Sequence, residues 1–297
     1  MSEIKSILGP MRIPFLVLTP ACVLLGFGSA MWRSGSVSFF YLALGFIGAL
    51  SAHISVNAFN EYFDFKSGLD FETKRTPFSG GSGTLPKRPE KASNALNTGL
   101  ATFAIIAFIG LYFLCVRGLS LLPLGLVGLF IVFTYTIWLT RHPLLSLIAP
   151  GLGFGPLMVM GTDFVLTGGY SWTAFVSSLI PFFLVSDLLL LNQFPDIDAD
   201  RTAGRKNFPI VVGKQISVLI YGAFLLCAYL SIIMGVYCGY LPRNGLIGLA
   251  SIVVAVPTFF GVFRNVEDTK RLIPYMGSNV IVVITTPVLV AIGFLVT

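Results

Sequence analysis

Charged residues are scarce in this chain. Asp, Glu, Lys and Arg make up 11% of its 297 residues, whereas hydrophobic residues make up 55%. A water-soluble domain of this length does not need so much apolar surface, so the composition excludes an ordinary soluble protein. The alternating segments of about ten residues that are typical of membrane β-barrels are also missing. The sequence therefore predicts a helical membrane protein.

Cysteine and histidine are rare as well, which leaves few candidates for thiol or general-base chemistry. The four cysteines fall inside apolar stretches, and we expect them to be small buried hydrophobic residues. The two histidines are His53 and His142. No glycine-rich segment has the Lys placement of a Walker phosphate-binding loop. The compact Asp-Gly-x-x-Ala-Arg signature of CDP-alcohol phosphotransferases is absent too, which argues against that class of enzyme.

Long apolar stretches recur along the whole chain, and each can cross a hydrocarbon core of about 30 Å as a helix. The predicted spans are residues 13–31, 38–62, 95–116, 119–139, 144–166, 173–195, 216–240, 244–263 and 274–296. They give an all-α integral membrane protein with about nine transmembrane helices in one bundle. We expect residues 1–297 to form a single transmembrane domain.

The distribution of basic residues predicts the orientation of the chain. With the N-terminus inside, the outer segments contain only Arg33, Arg117 and Arg243, and the inner segments contain the other 16 of the 19 basic residues. The net charge of +6 is then mainly a topology signal, and basic residues scattered over membrane loops give no support for nucleic-acid binding. We expect an integral protein of the lipid bilayer, of the cytoplasmic membrane if prokaryotic, with its site on the cytoplasmic side.

Two inner loops are longer than the other connections, and long loops between helices often have a function. The first follows the motif Asn-Glu-Tyr-Phe-Asp, residues 60–64, and the second follows Asn-Gln-Phe-Pro-Asp, residues 192–196. Each motif is Asn-x-x-x-Asp, and each is followed by a further Asp, at Asp70 and Asp200. Because both predicted helices run from outside to inside, both motifs lie at the same membrane face.

Polar residues recur every three or four positions on the second and sixth helices, which places them on one face of each helix. They are His53, Asn57, Asn60 and Asp64 on the second helix, and Asn192, Asp196 and Asp200 on the sixth. An unpaired Asp at membrane depth costs about 2.5–3.5 kcal/mol, and facing carboxylates repel one another. Divalent cations between them remove this cost, and oxygen ligands with room for phosphate suit Mg²⁺. The alternative is that these acids are solvated helix ends neutralised by nearby Lys and Arg.

Basic residues near the motifs are candidates for diphosphate binding, because Lys and Arg contact phosphate oxygens. They are Lys66, Lys74, Arg75, Arg205 and Lys206. Topology alone also accounts for basic residues on this side. Residues 76–86, with three glycines between flanking prolines, are predicted to form a mobile cover over the site, and the alternative is a flexible linker.

Two further acids lie near predicted spans. Asp163 is at the outer end of the fifth helix, where we expect it to be wetted. Asp187 is five residues before Asn192 and therefore about 140° around the helix from the metal-facing side.

The two motifs resemble those of the UbiA superfamily of intramembrane prenyltransferases. Asn60, Asp64 and Asp70 match the family's first motif, and Asp196 and Asp200 match its second. The resemblance implies nine helices and Mg²⁺ ions held by the four Asp. It also implies transfer of a polyprenyl group from polyprenyl diphosphate to an aromatic acceptor, with Asn60, Asp64, Asp196 and Asp200 as catalytic residues.

Residues 192–213 are similar to the branch that prenylates 1,4-dihydroxy-2-naphthoate in menaquinone biosynthesis. Asn57 and Asn192, on the polar faces of the second and sixth helices, are candidates for substrate binding, and Arg141 is a candidate for contacting the acceptor carboxylate. Phe154 stands where the branch often has an acid, and Arg205–Lys206 stand where a Lys follows Gly. These departures leave 4-hydroxybenzoate, homogentisate or a non-aromatic alcohol open as acceptors.

A cation-coupled transporter is the alternative from another class, because transporters also place Asp and Asn in membrane helices. They do so near the bilayer midplane, on broken helices. The acids of this chain cluster at the inner ends of the predicted spans, which favours the enzyme.

Overall fold

The computed structural model describes residues 3–297, and the regular elements within this range are all helical. The α-helices are α1 (Glu3–Met11), α2 (Leu18–Ser34), α3 (Phe39–Lys66), α4 (Leu69–Glu72), α5 (Thr84–Lys87), α6 (Ala92–Arg117), α7 (Leu122–Thr134), α8 (Pro143–Leu152), α9 (Gly161–Thr167), α10 (Trp172–Asn192), α11 (Ile197–Thr202), α12 (Phe208–Val211), α13 (Lys214–Tyr237), α14 (Ile252–Asn265) and α15 (Thr269–Leu295). A π-helix covers Gly153–Met160, and 3-10 segments cover Ile13–Val17, Pro89–Lys91, Leu119–Leu121, Leu139–Arg141 and Arg243–Ser251.

Eight helical segments within the described range are long and apolar enough to cross a membrane. The apolar stretch Leu119–Thr134 is shorter, and its helix α7 has 13 residues where about 20 are needed to span. The predicted all-α membrane bundle is confirmed, and the expected count of about nine helices is close. The fourth predicted span, 119–139, is shorter because α7 ends at Thr134 and is followed by turns and a 3-10 segment. Thr136 then lies beside α3, where it accepts a hydrogen bond from Asn60, and Thr140 lines the cavity described below.

The fifth predicted span, 144–166, is a helix with a changed pitch in its middle. Pro150 and Pro156 lack the N–H that an α-helical hydrogen bond requires. The π-helix begins three residues after Pro150 and contains Pro156. Glycines let this irregular segment pack tightly on α10. A Cβ at Gly151 would lie 2.2 Å from the carbonyl oxygen of Phe182, and one at Gly155 would lie 2.4 Å from that of Ser178.

The main core lies around α10, where residues such as Ile180 and Leu184 pack with Tyr221 of α13 and Met276 of α15. In α10 the most apolar window is 67% buried, against 11% for the segment that contains α6. Close packing fixes a helix that is largely buried. α10 is therefore a firm support for the second motif, which follows its C-terminal end.

The cysteines do not all behave as predicted. Cys22 is buried and Cys227 is half-buried, but Cys115 and Cys238 are exposed. The outer surface of a membrane bundle faces lipid and is itself apolar, so an apolar neighbourhood in the sequence does not imply burial inside the protein.

Candidate active site

One face of α3 carries the first motif into a cavity of about 610 Å³. His53, Asn57, Asn60 and Asp64 all line it, as their spacing predicts. The helix ends at Lys66, and Gly68 (φ 84°) then reverses the chain in a left-handed conformation that glycine adopts without strain. This turn brings α4 back, so that Asp70 also lines the cavity.

The second motif does not continue α10, contrary to the prediction of one helical face. α10 ends at Asn192 and residues 193–196 form turns, because Pro195 cannot donate the next helical hydrogen bond. Asp200 lies on the separate short helix α11, where its N–H donates to the Asp196 carbonyl oxygen at 2.8 Å. Asn192, Asp196 and Asp200 nevertheless line the same cavity as the first motif.

Arg205 joins the two motifs. Its Nη2 donates to Oδ1 of Asp64, and its Nη1 donates to Oδ1 of Asp200 at 3.0 Å. The second oxygen of Asp200 accepts a hydrogen bond from Nδ2 of Asn207 at 2.8 Å. The Arg205 side chain is 17% exposed, and those of Asp64 and Asp200 are 9% and 5% exposed, so these charges meet largely out of water.

Arg12 lines the polar end of the cavity and Glu61 lies behind it, and the sequence pattern indicates neither of them as a site residue. Nε of Arg12 donates to Oε1 of Glu61 at 2.8 Å, and its Nη2 donates to Oδ1 of Asn60 at 2.8 Å. Arg12 has φ 51°, the one positive φ among the described non-glycine residues, which indicates local backbone strain. In the sequence, Arg12 looks like any other basic residue on the inner side, whereas this conformation fixes it against the first motif.

The predicted cover is folded over the polar end. Ser79, Gly80 and Gly81 line the cavity. The backbone N–H of Ser82 donates to Oε1 of Glu61 at 2.6 Å, and its hydroxyl donates to Oε2 at 2.8 Å. Gly81 lies so close that a Cβ would be 3.1 Å from both Asp70 Oδ1 and Glu61 Oε1. These contacts favour a cover over a plain linker.

The other predicted basic residues form no ion pair with the motif carboxylates in the described part of the chain. Lys66, Lys74, Arg75, Arg141 and Lys206 are exposed, and none of them lines the cavity. The Lys66 ammonium lies 5.8 Å from the centre of the Tyr62 ring, and Nε of Arg75 donates to the Gly80 carbonyl oxygen at 3.2 Å. Of the six basic residues predicted to bind substrate, the structure brings only Arg205 to the motifs.

Burial changes the acidity of two carboxyl groups at this end. It raises the pKa of Asp70 to about 7, and the nearby carboxylates of Glu61 and Asp64 add to the rise. Burial also raises the pKa of Asp196 to about 7, and the charge of Asp200 acts in the same direction. Both groups therefore lack enough positive charge nearby to offset their loss of water.

Unsatisfied oxygens test whether this end of the cavity fits a divalent cation. Asp70 Oδ2, Asp196 Oδ1 and Asn192 Oδ1 are buried and have no hydrogen-bond partner in the described part of the chain. Within residues 3–297 no three His, Cys, Asp or Glu side chains form a group that could hold a metal ion by themselves. Mg²⁺ commonly binds through one or two carboxylates plus water and substrate phosphates. The donors therefore fit Mg²⁺ shared with a phosphate and do not fit a closed protein cage.

The cavity continues from its polar end into an apolar chamber lined by α3, α6 and α7. Gly110 and Gly125 line this part, and a Cβ at either would meet nothing within 4 Å. No residue of α7 is buried, so this wall is thin. His53 faces the chamber, with Nδ1 2.9 Å from the Thr19 hydroxyl and its ring centre 4.7 Å from that of Phe154. Such a space suits a hydrocarbon chain better than a polar ligand.

Asp163 and Asp187, the two further acids near predicted spans, lie outside this cavity. Asp163 is fully buried, contrary to the expectation that water surrounds it, because Arg33 and Ser29 of α2 supply partners at 2.5 and 2.9 Å. Asp187 is also fully buried and does not line the cavity, in agreement with its predicted position off the metal-facing side.

An oxygen-rich polar end joined to an apolar chamber inside a helical membrane bundle suits an amphipathic ligand with a phosphorylated head. The chain belongs to the UbiA prenyltransferase family, whose sequence model matches residues 19–280. It is therefore an integral membrane enzyme, a prenyltransferase, and not a transporter.

Two curated relatives show how similar the chain is to characterised members. It is 28% identical over 260 residues to 1,4-dihydroxy-2-naphthoate octaprenyltransferase of Bacillus subtilis (strain 168), covering 86% of this chain and 77% of the relative. It is 29% identical over 258 residues to human UbiA prenyltransferase domain-containing protein 1, covering 84% of this chain and 70% of the relative.

Solved structures share the fold. A UbiA homologue from Archaeoglobus fulgidus bound to DMAPP and Mg²⁺ superposes with a TM-score of 0.67 at 14% identity, covering 98% of this chain and 99% of the homologue. An apo UbiA homologue from Aeropyrum pernix K1 gives the same TM-score at 18% identity, covering 96% and 98%. At these identities the likeness concerns the fold alone.

Proposed function

We propose that this protein transfers a polyprenyl group from polyprenyl diphosphate to an aromatic acceptor, with 1,4-dihydroxy-2-naphthoate as the acceptor. The observation that carries the proposal is one continuous cavity. Its polar end joins both Asp motifs, and its other end is apolar. A diphosphate head at the motifs and an isoprenoid tail in the chamber match these two ends.

The four motif acids Asp64, Asp70, Asp196 and Asp200 would hold Mg²⁺, which neutralises the diphosphate and stabilises the charge that develops as it leaves. Asn60 is positioned for this site by both of its amide atoms. Its Oδ1 accepts from Arg12 at 2.8 Å, and its Nδ2 donates to Thr136 Oγ1 at 3.2 Å. Asn57 and Asn192 line the same cavity and provide further polar contacts for substrate.

The remaining task of the protein is to keep water away from an allylic cation, because water would capture it before the acceptor does. The apolar walls and the cover around Gly80 and Gly81 suit this task. An electron-rich dihydroxynaphthoate needs little help from a general base. This agrees with a cavity whose single histidine, His53, already has its Nδ1 engaged by Thr19.

The acceptor assignment rests on the motif of residues 192–213 and on the 28% identity to the Bacillus subtilis octaprenyltransferase. Attack of the naphthoate ring followed by loss of its carboxylate gives a prenylated naphthoquinol and CO₂, within a menaquinone pathway. Arg141, proposed for the acceptor carboxylate, lies exposed beside Thr140, which lines the cavity. Phe154 argues against dihydroxynaphthoate as the acceptor, because it stands where that branch often has an acidic residue.

A panel of acceptors tests the assignment. Membranes containing the protein, supplied with polyprenyl diphosphate and Mg²⁺, should consume dihydroxynaphthoate and release CO₂ and diphosphate, with the product identified by mass spectrometry. If 4-hydroxybenzoate, homogentisate or a non-aromatic alcohol is prenylated instead, the proposed prenyl transfer stands and the assignment of dihydroxynaphthoate as the acceptor is wrong.

We also propose that residues 1–297 act as one domain, with the polar end of the cavity on the cytoplasmic side. Sixteen basic residues on that side against three on the other support this orientation. In a cysteine-free background, an impermeant thiol reagent added outside should label Thr297→Cys and should not label Lys74→Cys. The opposite pattern would reverse the orientation.

A further inference from the structure

Arg205 contacts one oxygen of each of two carboxylates that would hold a divalent cation at the motifs. One guanidinium nitrogen contacts Asp64 and another contacts Asp200 Oδ1 at 3.0 Å, so a single side chain bridges the first and second motifs. Asn207 donates to the other oxygen of Asp200 at 2.8 Å, so each oxygen of that carboxylate already accepts one protein hydrogen bond. A cation that binds Asp200 therefore competes with these donors and meets the positive charge of Arg205.

The neighbouring donors differ from this pair. Asp70 Oδ2, Asp196 Oδ1 and Asn192 Oδ1 are buried without a partner among the described residues, so a cation reaches them without displacing anything. Arg12, the other arginine of the cavity, is bound to Glu61 and Asn60 and contacts neither Asp64 nor Asp200. Of the two arginines that line the cavity, only Arg205 thus competes with a metal for Asp64 and Asp200.

Displacing Arg205 without giving it a new partner is unfavourable, since a mostly buried guanidinium would lose both charged contacts. A diphosphate supplies the missing partner, because the planar guanidinium binds phosphate oxygens through two parallel hydrogen bonds. Every charge then keeps a partner of opposite sign. The guanidinium of Arg205 binds the diphosphate, and the carboxylates of Asp64 and Asp200 bind the cation.

We propose that Arg205 is an internal counter-ion that occupies the divalent-cation position between Asp64 and Asp200 until diphosphate draws it away, and so couples metal binding to diphosphate binding. The inference rests on the proposed function, because it takes Mg²⁺ and a prenyl diphosphate as the ligands. Coupling between two ligands is reciprocal, so each ligand raises the affinity for the other. Arg205 thereby lowers the affinity of the position between Asp64 and Asp200 for divalent cations in the absence of substrate.

Direct metal binding tests the proposal without any turnover. Mn²⁺ replaces Mg²⁺ as a paramagnetic probe, and its free concentration is measured by electron paramagnetic resonance on purified protein, with and without inorganic diphosphate. A protein-free titration corrects for the Mn²⁺–diphosphate complex. The test variant is Arg205→Gln. The matched control is Arg201→Gln, which makes the same substitution at an exposed residue next to Asp200 in the sequence.

The wild-type protein should bind Mn²⁺ weakly alone and more tightly with diphosphate, by roughly 5- to 150-fold, the usual range for linked sites. Arg205→Gln should bind Mn²⁺ alone more tightly than wild type, and diphosphate should improve its Mn²⁺ affinity far less. Arg201→Gln should behave as wild type. Thermal unfolding gives a second reading: Mg²⁺ alone should raise the melting temperature of Arg205→Gln and leave that of wild type nearly unchanged.

Two results would overturn the counter-ion role. One is tight Mn²⁺ binding to wild type without diphosphate, and the other is an Arg205→Gln protein that folds and binds Mn²⁺ no better than wild type. If neither protein binds Mn²⁺ even with diphosphate, the proposed metal-dependent function itself fails, which is a distinguishable outcome.

Discussion

Buried acids lie at both ends of this bundle, and their partners differ. At the end predicted to be the outer one, Asp163 accepts hydrogen bonds from Arg33 at 2.5 Å, from Ser29 at 2.9 Å and from Ser171 at 3.4 Å. At the opposite end, predicted to be the inner one, Asp70 and Asp196 each keep a buried oxygen without a partner in the described chain. The outer acid is satisfied by the protein alone, whereas the inner acids leave binding capacity for a ligand.

The difference in hydrogen-bond partners indicates a structural role for Asp163 and a ligand-binding role for Asp70 and Asp196. Burying a charge costs several kcal/mol unless fixed partners replace water, so a closed cluster such as that of Asp163 serves to tie helices together. An unsatisfied buried carboxylate is a cost that folding alone does not explain, and such groups concentrate at functional sites. Asp187 also has unsatisfied oxygens, but Asp70 and Asp196 line a cavity that a ligand can enter, whereas Asp187 does not. Substitutions at the two ends should therefore affect different properties.

The largest expected effect is the loss of activity on replacing an inner acid. Asp196→Asn should lower prenyl transfer by at least about 100-fold, since a metal site contributes several kcal/mol and each tenfold in rate is about 1.4 kcal/mol. The melting temperature in chelator should stay the same or rise, because an unpaired carboxyl is removed. Product formation by mass spectrometry and thermal unfolding measure the two effects. Full activity in excess chelator would contradict the metal assignment.

The cover supplies the next effect. Gly80 has φ 83°, which proline cannot adopt, so Gly80→Pro should displace the loop from the carboxylates. We expect activity to fall about 10- to 100-fold, as for other displaced active-site groups. Gly239→Pro is the control, since Gly239 has φ 76° and lies in the turn after α13, away from the cavity. Equal loss of activity per folded molecule in both variants would reduce the cover to a linker.

At the outer end the expected change is in stability. Asp163→Asn should lower the free energy of unfolding by about 2 kcal/mol, because hydrogen bonds to a buried charge are lost and Arg33 loses its ion pair. Activity per folded molecule should remain at the wild-type level, since Asp163 does not line the cavity. Thermal unfolding and activity of the same preparation measure both. A specific activity as low as that of Asp196→Asn would erase the contrast between the two ends.

The smallest effect concerns pH. The pKa of Asp70 and of Asp196 is raised to about 7 in the folded protein, above the value of about 3.9 in an unfolded chain. Between these values the folded state binds more protons, so the stability of the protein in chelator should fall as pH rises from about 4 to about 8. Asp70→Asn should reduce this fall in melting temperature, and Asp198→Asn, at an exposed acid, should not. A melting temperature that rises over this range would reverse the sign.

Much of the fold could be predicted because the bilayer acts on local sequence. An apolar window of about 20 residues commits a segment to a membrane helix whatever its neighbours are. The spacing of His53, Asn57, Asn60 and Asp64 likewise fixed a common face within one helix. The end of α10 at Asn192 was missed, although Pro195 provided a signal for it.

The charge partners could not be predicted from local sequence. Arg205 looked equivalent to Lys66, Lys74, Arg75 and Lys206, yet of these it alone bridges the two motifs, reaching Asp64 from 141 positions away. Arg33 lies 130 positions from Asp163 in the sequence, and its hydrogen bond to Asp163 replaces contacts that water would otherwise make.

The sequence by itself determined that this chain is a helical membrane protein, and it placed two acidic motifs at one membrane face. Only the tertiary structure decided which cation meets those acids, which oxygens remain unsatisfied, and that Arg12 and Glu61 hold Asn60 and the cover in place. Hydropathy acts on each segment separately. The partner of a buried charge, in contrast, is the group that the packed helices bring within hydrogen-bond distance, about 3 Å.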